Sequence, residues 1–406
     1  MKEYLRIGWR NIWRNKRRTL ITTASVFFAV FLAITLRGFH QGMWNTLLEN
    51  VLHSYSGYLQ VHEKGFWNDR TLDYGMVLTD SLKKEILSTR NVKGFVPRLE
   101  SYALASSGEK TKGVMVVGVE PEVENHFTRL DEKLRSGHFL EQDDNGAVLS
   151  ERLGKFLGLA VGDTLTLLSQ GYQGATAAGL FPIRGIVKLP SPEWDNQMVY
   201  IELNHAQALY SADSMITSLV IDLKKPRLLE KTARELRKKI NNKEYEVMSW
   251  KQMLVELYQQ WQIDTASAIL ILGLLYLIIG FGIFGTVMMM TTERVREFGI
   301  MIAIGMRRTK LLAILITELC YITLMGALGG MIFSLPIILH FKYHPIKFSS
   351  DYAKMLEVYG MEPAMTLAWQ ADYILHQAMA VVLITLIAAI YPVYSVSRLK
   401  LNKALR

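Results

Sequence analysis

The sequence predicts an α-helical membrane protein with four transmembrane helices and a large mixed α/β extracytoplasmic domain inserted between helices 1 and 2. Four apolar segments are long enough to cross a bilayer and hold at most one charged residue each: 19–36, 265–292, 311–341 and 373–397. The stretch between the first two is polar and nearly neutral, with 27 Lys and Arg against 28 Asp and Glu in residues 37–263. The excess positive charge flanks the apolar segments, which is typical of a multi-pass membrane protein and not of a nucleic-acid groove.

Residues 1–18 are predicted to form a cytoplasmic, interfacial amphipathic helix, because their apolar and basic residues fall on opposite faces. The apolar face holds Leu5, Trp9, Ile12 and Trp13, and the basic face holds Arg6, Arg10, Arg14 and Arg17. Transmembrane helix 1 follows at 19–36 and is ~27 Å long as a helix, close to a bilayer core. A cleaved signal peptide is disfavoured, because Arg37-Gly-Phe-His follows the run in place of a small-residue cleavage site.

Residues 37–56 are predicted to continue the first helix as a stalk. Apolar residues recur there every four positions, and the pattern ends at Ser56-Gly57. Residues 57–248 are predicted to form the α/β domain, because short strand-like runs alternate with helical patterns. The strand-like runs are 58–62, 113–119, 164–169, 198–201 and 218–223, and the helical patterns are 80–89, 151–159 and 227–240.

A second stalk, residues 249–264, is predicted to lead into transmembrane helix 2 at 265–292. Ser249 and Gln252 have the spacing of a capping box and mark a helix start. If unbroken, a helix over residues 250–291 would be ~63 Å long, about twice the thickness of a bilayer core. Half of it would then stand outside the membrane, next to the first stalk.

Residues 293–310 are predicted to form a short amphipathic helix between helices 2 and 3, with Val295, Phe298 and Ile302 on its apolar stripe and Arg294, Glu297 and Met301 pointing elsewhere. Such a segment, held between two spans, is suited to contact with a partner, although it could also be a charged loop that merely joins them.

Transmembrane helix 3 is predicted at 311–341, an extracytoplasmic loop at 342–372, transmembrane helix 4 at 373–397 and a cytoplasmic tail at 398–406. Within helix 3, Gly326 and Gly330 allow close helix packing. Its carboxylate Glu318 is a functional candidate, since a charge inside a membrane is costly. Pairing with Arg307, Arg308 or Lys310 is the favoured interpretation.

Charge asymmetry predicts the orientation of the chain. Residues 1–18, 293–310 and 398–406 all carry excess Lys and Arg and belong in the cytoplasm. An even number of spans agrees with cytoplasmic termini at both ends. The α/β domain is then extracytoplasmic.

Motifs for catalysis or metal binding are missing from the sequence. Gly154-Lys155 is followed by Phe156, so no phosphate-binding Gly-x-x-x-x-Gly-Lys-Ser/Thr loop is formed. The nine histidines are scattered, and the single cysteine, Cys320, lies in an apolar segment. We therefore expect no catalytic residue, metal site or cofactor in this chain, so that energy must come from another subunit.

The segment from Glu293-Arg to Ala303-Ile-Gly-Met resembles the coupling segment of the MacB/FtsX-type ABC transporter permeases, a group that includes the lipoprotein-releasing permeases. Further similarity lies in residues 9–20, 148–167 and 391–406, with Asn402 where the family usually has proline. The resemblance implies a two-lobed outer domain, with the inserted lobe roughly at 120–215.

The family's coupling segment docks on a separate ATPase. The resemblance therefore implies a cytoplasmic ABC ATPase dimer that binds ATP–Mg, a second permease protomer (identical or paralogous), and a location in the bacterial inner membrane. The residues implied in ATPase coupling are Glu293, Arg294, Arg296, Glu297, Phe298, Gly299, Met301, Gly305 and Arg307.

Length and motifs are most similar to the lipoprotein-releasing branch, which implies a lipoprotein substrate and a periplasmic lipoprotein carrier. Phe27, Phe31, Leu275 and Ile278 are candidates for an acyl-chain groove, or else plain lipid-facing or dimer-packing positions. The Gly/Ala-rich loop 170–181 is a flexible hairpin tip or a carrier-binding hairpin, with Tyr172, Gln173, Gly174 and Phe181 as candidates. MacB-like efflux of peptides or drugs and FtsX-like signalling without transport are the alternative functions.

Overall fold

The computed structural model describes residues 2–14, 16–241, 243–347, 351 and 364–398. The chain divides into two compact units. Thr46–Gln260 form the first, called here the α/β domain, and the second, called the membrane unit, is built from Met1–Asn45, Trp261–Lys347 and Ala364–Arg406.

The chain begins with two helices, α1 (Lys2–Arg14) and α2 (Lys16–Val51). The first helix continues past the apolar segment, since α2 runs on to Val51; that this part stands outside the membrane as a stalk stays a prediction. Its last turn widens into a π-helix, Leu52–Ser56, and ends at Gly57. Gly57 has φ +64°, and a β-carbon there would lie 2.3 Å from Val220 Cγ1, so the chain turns where only glycine fits.

The α/β domain is built on a ten-stranded mixed sheet in the order β12-β1-β11-β3-β4-β9-β6-β8-β5, with β7 pairing with β3 and β8. Its strands and the small β2–β10 pair are β1 Leu59–Glu63, β2 Met76–Val77, β3 Val92–Ser106, β4 Thr111–Val119, β5 Leu134–Gly137, β6 Ala147–Ser150, β7 Thr164–Gln170, β8 Thr176–Val187, β9 Met198–Glu202, β10 Met215–Ile216, β11 Ser218–Leu223 and β12 Tyr245–Ser249. Each of the five predicted strand-like runs coincides with one of these strands.

The helices of the domain are α3 Phe66–Asp69, α4 Asp80–Leu87, α5 Pro121–Thr128, α6 Glu151–Leu157, α7 Pro192–Asp195, α8 Leu203–Tyr210, α9 Leu229–Lys239 and α10 Trp250–Met253. The central strand β4 is buried on both faces: Val114 and Val116 face one apolar cluster, and Met115 and Val117 face another. This explains its continuous apolar run. The strands within residues 120–215 join the same sheet through the parallel pairing of β4 with β9 and the antiparallel pairing of β3 with β7. The division into two lobes stays a prediction.

The membrane unit continues with α11 (Val255–Glu293), α12 (Val295–Ala303), α13 (Arg308–Tyr343) and α14 (Ala371–Ser397), and a two-stranded pair, β13 (Ile346–Lys347) with β14 (Ala364–Met365). Four helices among the described residues are long and apolar enough to cross a membrane, which confirms the predicted spans. Most of the predicted loop 342–372, and the tail 398–406 beyond Arg398, lie outside the described residues.

Two predicted boundaries need correction. The helix over residues 250–291 is not unbroken, because Leu254 has φ −111° and ψ 64° and separates α10 from α11. The predicted start is nevertheless present, since the Ser249 amide donates to Gln252 Oε1 at 3.1 Å. The segment 293–310 is not a single helix: Glu293 ends α11, α12 follows, and α13 already begins at Arg308. Gly305 has φ +100°, a left-handed conformation that separates α12 from α13.

Candidate coupling site

The short helix α12 lies between α11 and α13 and buries one narrow face. Phe298 and Gly299 are buried, and Phe298 packs in the apolar core of the membrane unit. Arg296 and Glu297 are exposed, as is Ile300. The helix is therefore anchored by one aromatic side chain and presents a mixed charged and apolar face outward.

Arg294 at the junction of α11 and α12 forms a buried ion pair with Glu318 of α13. Arg294 Nη1 lies 2.6 Å from Glu318 Oε2, and both side chains are 3% exposed. The guanidinium also lies 5.2 Å from the centre of the Phe298 ring. The sequence pattern predicted that Arg294 points away from the apolar stripe. The structure instead places its guanidinium beside Phe298, a residue of that stripe.

The predicted partners of Glu318 are wrong. Arg307, Arg308 and Lys310 are exposed at the start of α13, and Arg308 Nη1 donates to the Ser397 carbonyl at 2.7 Å. A buried carboxylate needs a cation that is buried beside it, because an exposed cation retains its water and leaves the carboxylate unpaired. The tight turn between α11 and α12 supplies that cation from a position 24 residues away in sequence.

The buried pair is connected to the surface through Glu297. Glu297 Oε2 lies 3.3 Å from Arg294 Nε and 3.0 Å from Arg14 Nη2 of α1. These charges form a row, Arg14–Glu297–Arg294–Glu318, that joins three helices. Its outer link is solvent-exposed and weak. Removal of Arg294, in contrast, would leave the buried Glu318 carboxylate without its cation.

The N-terminal helix α1 packs along α13. A β-carbon on Gly8 would lie 3.0 Å from Thr317 Cγ2, so the backbones approach closely there. The Trp9 ring contacts Tyr321 edge-to-face at 5.6 Å between ring centroids. Ile12 is buried, while Trp9 and Trp13 remain about half exposed. The amphipathic helix α1 therefore packs part of its apolar face against α13.

The nine predicted coupling residues separate into two groups. Glu293, Arg296, Glu297, Gly305 and Arg307 are exposed and Met301 is half-buried. Arg294, Phe298 and Gly299 are buried, so they hold α12 in place and cannot present side chains to a partner. Contact of the exposed group with an ATPase stays a prediction.

The predicted groove residues lie on different helices. Phe27 and Phe31 of α2 stack at 6.3 Å, and both contact Phe333 of α13, which the sequence analysis missed. On α11, Leu275 is half-buried and Ile278 is 67% exposed. A periodicity argument on single helices could not find Phe333, because the cluster forms only when α13 packs on α2.

A cavity of about 230 Å³ lies between α2 and α11, near the predicted outer ends of these spans. Its polar wall includes Asp264, whose Oδ2 lies 2.9 Å from His40 Nε2 and accepts a hydrogen bond from Trp44 Nε1 at 2.5 Å. Arg37 and Ser267 add to the polar wall, and the remaining lining is apolar: Leu36, Phe39, Met43, Ala268, Ile271 and Leu272. The arrangement is an amphipathic crevice between the first two spans.

The predicted loop 170–181 is too long: the turn of the β7–β8 hairpin covers only residues 171–175, and 176–181 already belong to strand β8. Gln173 has φ +51° and Gly174 has φ +81°, so the tip contains two consecutive left-handed residues. Tyr172 is half-buried, and Gln173 and Gly174 are exposed. Phe181 is buried in the domain core and is not part of an exposed tip, which corrects that prediction.

The π-helical end of the first stalk is held by a second buried ion pair within the α/β domain. Arg98 contacts Glu124 through two bonds of 2.8 and 2.6 Å, and both side chains are fully buried. Arg98 Nη1 also donates to the Tyr55 carbonyl at 2.5 Å. Burial, together with the nearby Glu100 carboxylate, raises the pKa of Tyr55 well above its ordinary value.

This fold and site define a multi-pass membrane protein with a large α/β domain between its first two spans and a short, anchored helix between the next two. Residues 19–239 match the family described as MacB-like periplasmic core domain, and residues 269–401 match the family described as FtsX-like permease C-terminal. The chain belongs to the MacB/FtsX-type ABC transporter permeases.

Relatives support this assignment across most of the chain. The lipoprotein-releasing system transmembrane protein LolC of Neisseria meningitidis is 22% identical over 349 residues, covering 80% of each chain. An uncharacterized ABC transporter permease of Methanocaldococcus jannaschii is 20% identical over 343 residues, covering 81% of this chain and 82% of its own.

Two solved structures are similar to part of the chain. The periplasmic region of MacB from Actinobacillus actinomycetemcomitans has a TM-score of 0.36 at 15% identity, covering 52% of this chain and 97% of its own. The extracellular domain of the ABC-type transporter YknZ from Gram-positive bacteria has a TM-score of 0.34 at 12% identity, covering 48% of this chain and all of its own.

Proposed function

We propose that this permease couples ATP hydrolysis by a separate cytoplasmic ATPase dimer to motion of its α/β domain, and that the motion extracts lipoproteins from the inner membrane. ATP and Mg²⁺ would be bound by the ATPase and not by this chain. The observation that carries the coupling role is the Arg294–Glu318 pair, which ties the exposed helix α12 to α13 at the exit of α11. A push on α12 would then reach two spans at once.

Lipoprotein as the substrate is supported by similarity to LolC along four-fifths of the chain. The crevice between α2 and α11 and the Phe27–Phe31–Phe333 cluster would offer apolar surface to acyl chains. The exposed tip of the β7–β8 hairpin would meet a periplasmic carrier. The second permease protomer would be an identical or paralogous chain.

The orientation that this function needs follows from charge. Lys and Arg concentrate in α1, around α12 and near the C-terminus, which favours the cytoplasm for all three. The α/β domain would then be periplasmic. Both α2 and α11 contribute residues to each unit, so the two helices would carry motion from the spans to the domain.

Docking of the ATPase is tested most cleanly at Arg296. It is an exposed α12 cation, and Arg296→Glu reverses its charge without touching the buried pair. We expect ATPase co-purification to fall about tenfold or more, a typical cost for a charge reversal at an electrostatic contact. Arg10→Glu, on the exposed face of α1, is the matched control. Equal loss for both variants, or for neither, would refute a docking role for α12.

Transport is tested by reconstituting the full chain with its ATPase in vesicles that contain a lipoprotein. ATP-dependent release of the lipoprotein to an added carrier supports the proposal. Release of a soluble peptide or drug instead would favour MacB-like efflux. Motion of the α/β domain on ATP addition, without release of either, would favour FtsX-like signalling.

A further inference from the structure

A second cavity, of about 570 Å³, lies where α2 begins and α11 ends. It is lined by the cations Arg14, Lys16 and Arg17, the hydroxyl residues Thr22 and Thr286, the apolar residues Ile21 and Met289, and Glu293. The three cations and Glu293 are solvent-exposed. Nothing in the coupling role described above requires this cavity.

The charge of the lining selects an anion. Three cations face the space against one carboxylate, so the formal charge of the lining is +2 by this count. Arginine and lysine are the usual phosphate-binding side chains, and an arginine fork can hold two phosphate oxygens.

The apolar side chains of the cavity lining favour a ligand that has an apolar part as well as an anionic group. Ile21 and Met289 are 51% and 63% exposed, and the neighbouring Leu20 is 71% exposed. They lie where the uncharged stretches of α2 and α11 meet their charged ends, which is where a headgroup gives way to acyl chains. A soluble phosphate would leave these side chains uncovered, whereas a phospholipid satisfies both halves of the cavity.

Arg14 connects the cavity to the coupling helix. Its contact with Glu297 joins side chains that are 58% and 46% exposed. Such a pair is worth little and competes poorly with a charge-assisted bond to phosphate. A headgroup in the cavity would therefore draw Arg14 away and leave the Glu297 carboxylate more available on the outer face of α12.

We propose that this cavity is a binding site for the headgroup phosphate of an anionic phospholipid, and that its occupation releases Glu297 from Arg14. The binding site is independent of the proposed function. Its effect on coupling rests on that function, because it assumes that α12 contacts an ATPase.

The binding half is tested with the full chain in mixed phosphatidylcholine–phosphatidylglycerol nanodiscs, with lipids retained after extraction counted by native mass spectrometry. The double variant Lys16→Gln/Arg17→Gln should retain phosphatidylglycerol about tenfold less well, because it removes two of the three cations that line the cavity and could bind the headgroup phosphate directly. The matched control is Arg6→Gln/Arg10→Gln, which removes the same charge from α1 without lining the cavity. Its retention should stay near wild type.

Equal loss of phosphatidylglycerol in both double variants would overturn the site, because it would indicate only general attraction to a basic surface. Displacement of the lipid by millimolar inorganic phosphate would also overturn it and identify a soluble anion as the ligand. Circular dichroism confirms that each variant is folded before its lipids are counted.

The coupling half is tested by titrating the ATPase onto the wild-type chain in nanodiscs with and without phosphatidylglycerol. We expect a several-fold change in ATPase affinity that disappears in the Lys16→Gln/Arg17→Gln variant. Selective lipid retention without any lipid effect on ATPase affinity would leave the site standing and refute its link to α12. Absence of ATPase binding in every nanodisc would refute the proposed function and not the lipid site.

Discussion

The α/β domain and the membrane unit each contain a buried Arg–Glu pair beside the end of a long helix, and the two pairs are built differently. Each of the three guanidinium nitrogens of Arg98 has a buried partner: two donate to Glu124 and the third donates to the Tyr55 carbonyl. Arg294 contacts Glu318 through one nitrogen and turns another toward the exposed Glu297. The first network is closed inside the protein, whereas the second continues to the surface.

This difference indicates that the two ion-pair networks have different structural roles. A closed network has one favourable arrangement, and any other leaves a buried charge or carbonyl without a partner. An open network can exchange its outer partner at small cost, because that partner is already hydrated. The Arg98–Glu124 pair is therefore suited to fix the end of the first stalk within the α/β domain. The Arg294–Glu318 pair is suited to respond when the contacts of α12 change.

The largest expected effect comes from breaking the closed pair. Glu124→Leu leaves Arg98 buried without its carboxylate and should lower the free energy of unfolding of the α/β domain by ~3–5 kcal/mol. Hydrogen exchange of β3 and α5 in the full chain measures this. The double variant Arg98→Met/Glu124→Leu removes both charges and should recover much of the loss. A single variant with wild-type exchange would show that the pair does not anchor the stalk end.

The open pair should respond less to the same kind of change. Glu318→Gln leaves Arg294 a carboxylate partner in Glu297, so we expect a loss of roughly 2 kcal/mol, within the range for a buried hydrogen bond to a charged group. Denaturant unfolding of α12 and α13, followed by cysteine accessibility, checks it. A loss as large as that of Glu124→Leu would erase the distinction between open and closed networks.

The stability of the α/β domain should also depend on pH through a second buried ionisable group, His62, whose effect can be measured separately from that of the Arg98–Glu124 pair. Burial lowers the pKa of His62 to about 3, and His62 Nδ1 has no hydrogen-bond partner in the described structure. Because the unfolded chain binds the proton more readily, His62 should be stabilising above pH ~6.5 and the domain should lose ~1.4 kcal/mol per pH unit as pH falls from there toward 3. At pH 5.5, one unit below the unfolded pKa, the expected loss relative to the plateau at higher pH is thus roughly 1.4 kcal/mol.

Hydrogen exchange of β1 between pH 7 and 5, corrected for intrinsic exchange rates, measures this slope. His62→Gln should flatten it and leave the Glu124→Leu effect intact. A slope that persists in His62→Gln would assign the acid sensitivity to other groups, with the Glu124 carboxylate as the first to examine.

The smallest effect is expected at the outer link of the open row. Arg14→Gln should change the unfolding free energy by less than ~1 kcal/mol, because Arg14 and Glu297 are both well exposed. Thermal unfolding in detergent checks this, with Arg10→Gln as the control. A decrease of several kcal/mol in the unfolding free energy would show that the Arg14–Glu297 contact is as strong as a buried ion pair, and the network would then not be open at its outer end.

Composition and periodicity predicted the four apolar spans, the continuation of the first helix beyond its apolar segment and the strand runs. Burial in lipid or in a sheet imposes patterns that a single sequence displays. The ion pairs could not be predicted in this way. Glu318 was assigned to cations close in sequence, whereas its partner Arg294 is brought to it by the turn between α11 and α12. The helix break at Leu254 and the π-helix Leu52–Ser56 contain neither proline nor glycine, so no local sequence signal predicted them.

The glycines of α13 have a mechanical consequence. A methyl group on Gly326 would lie 2.7 Å from Val26 Cβ, and one on Gly330 would lie 2.7 Å from the Phe27 carbonyl oxygen. With the backbones this close, sliding of α13 along α2 would bring the two helices into steric collision. We therefore expect the two spans to move together, so that a displacement of one would also displace the other.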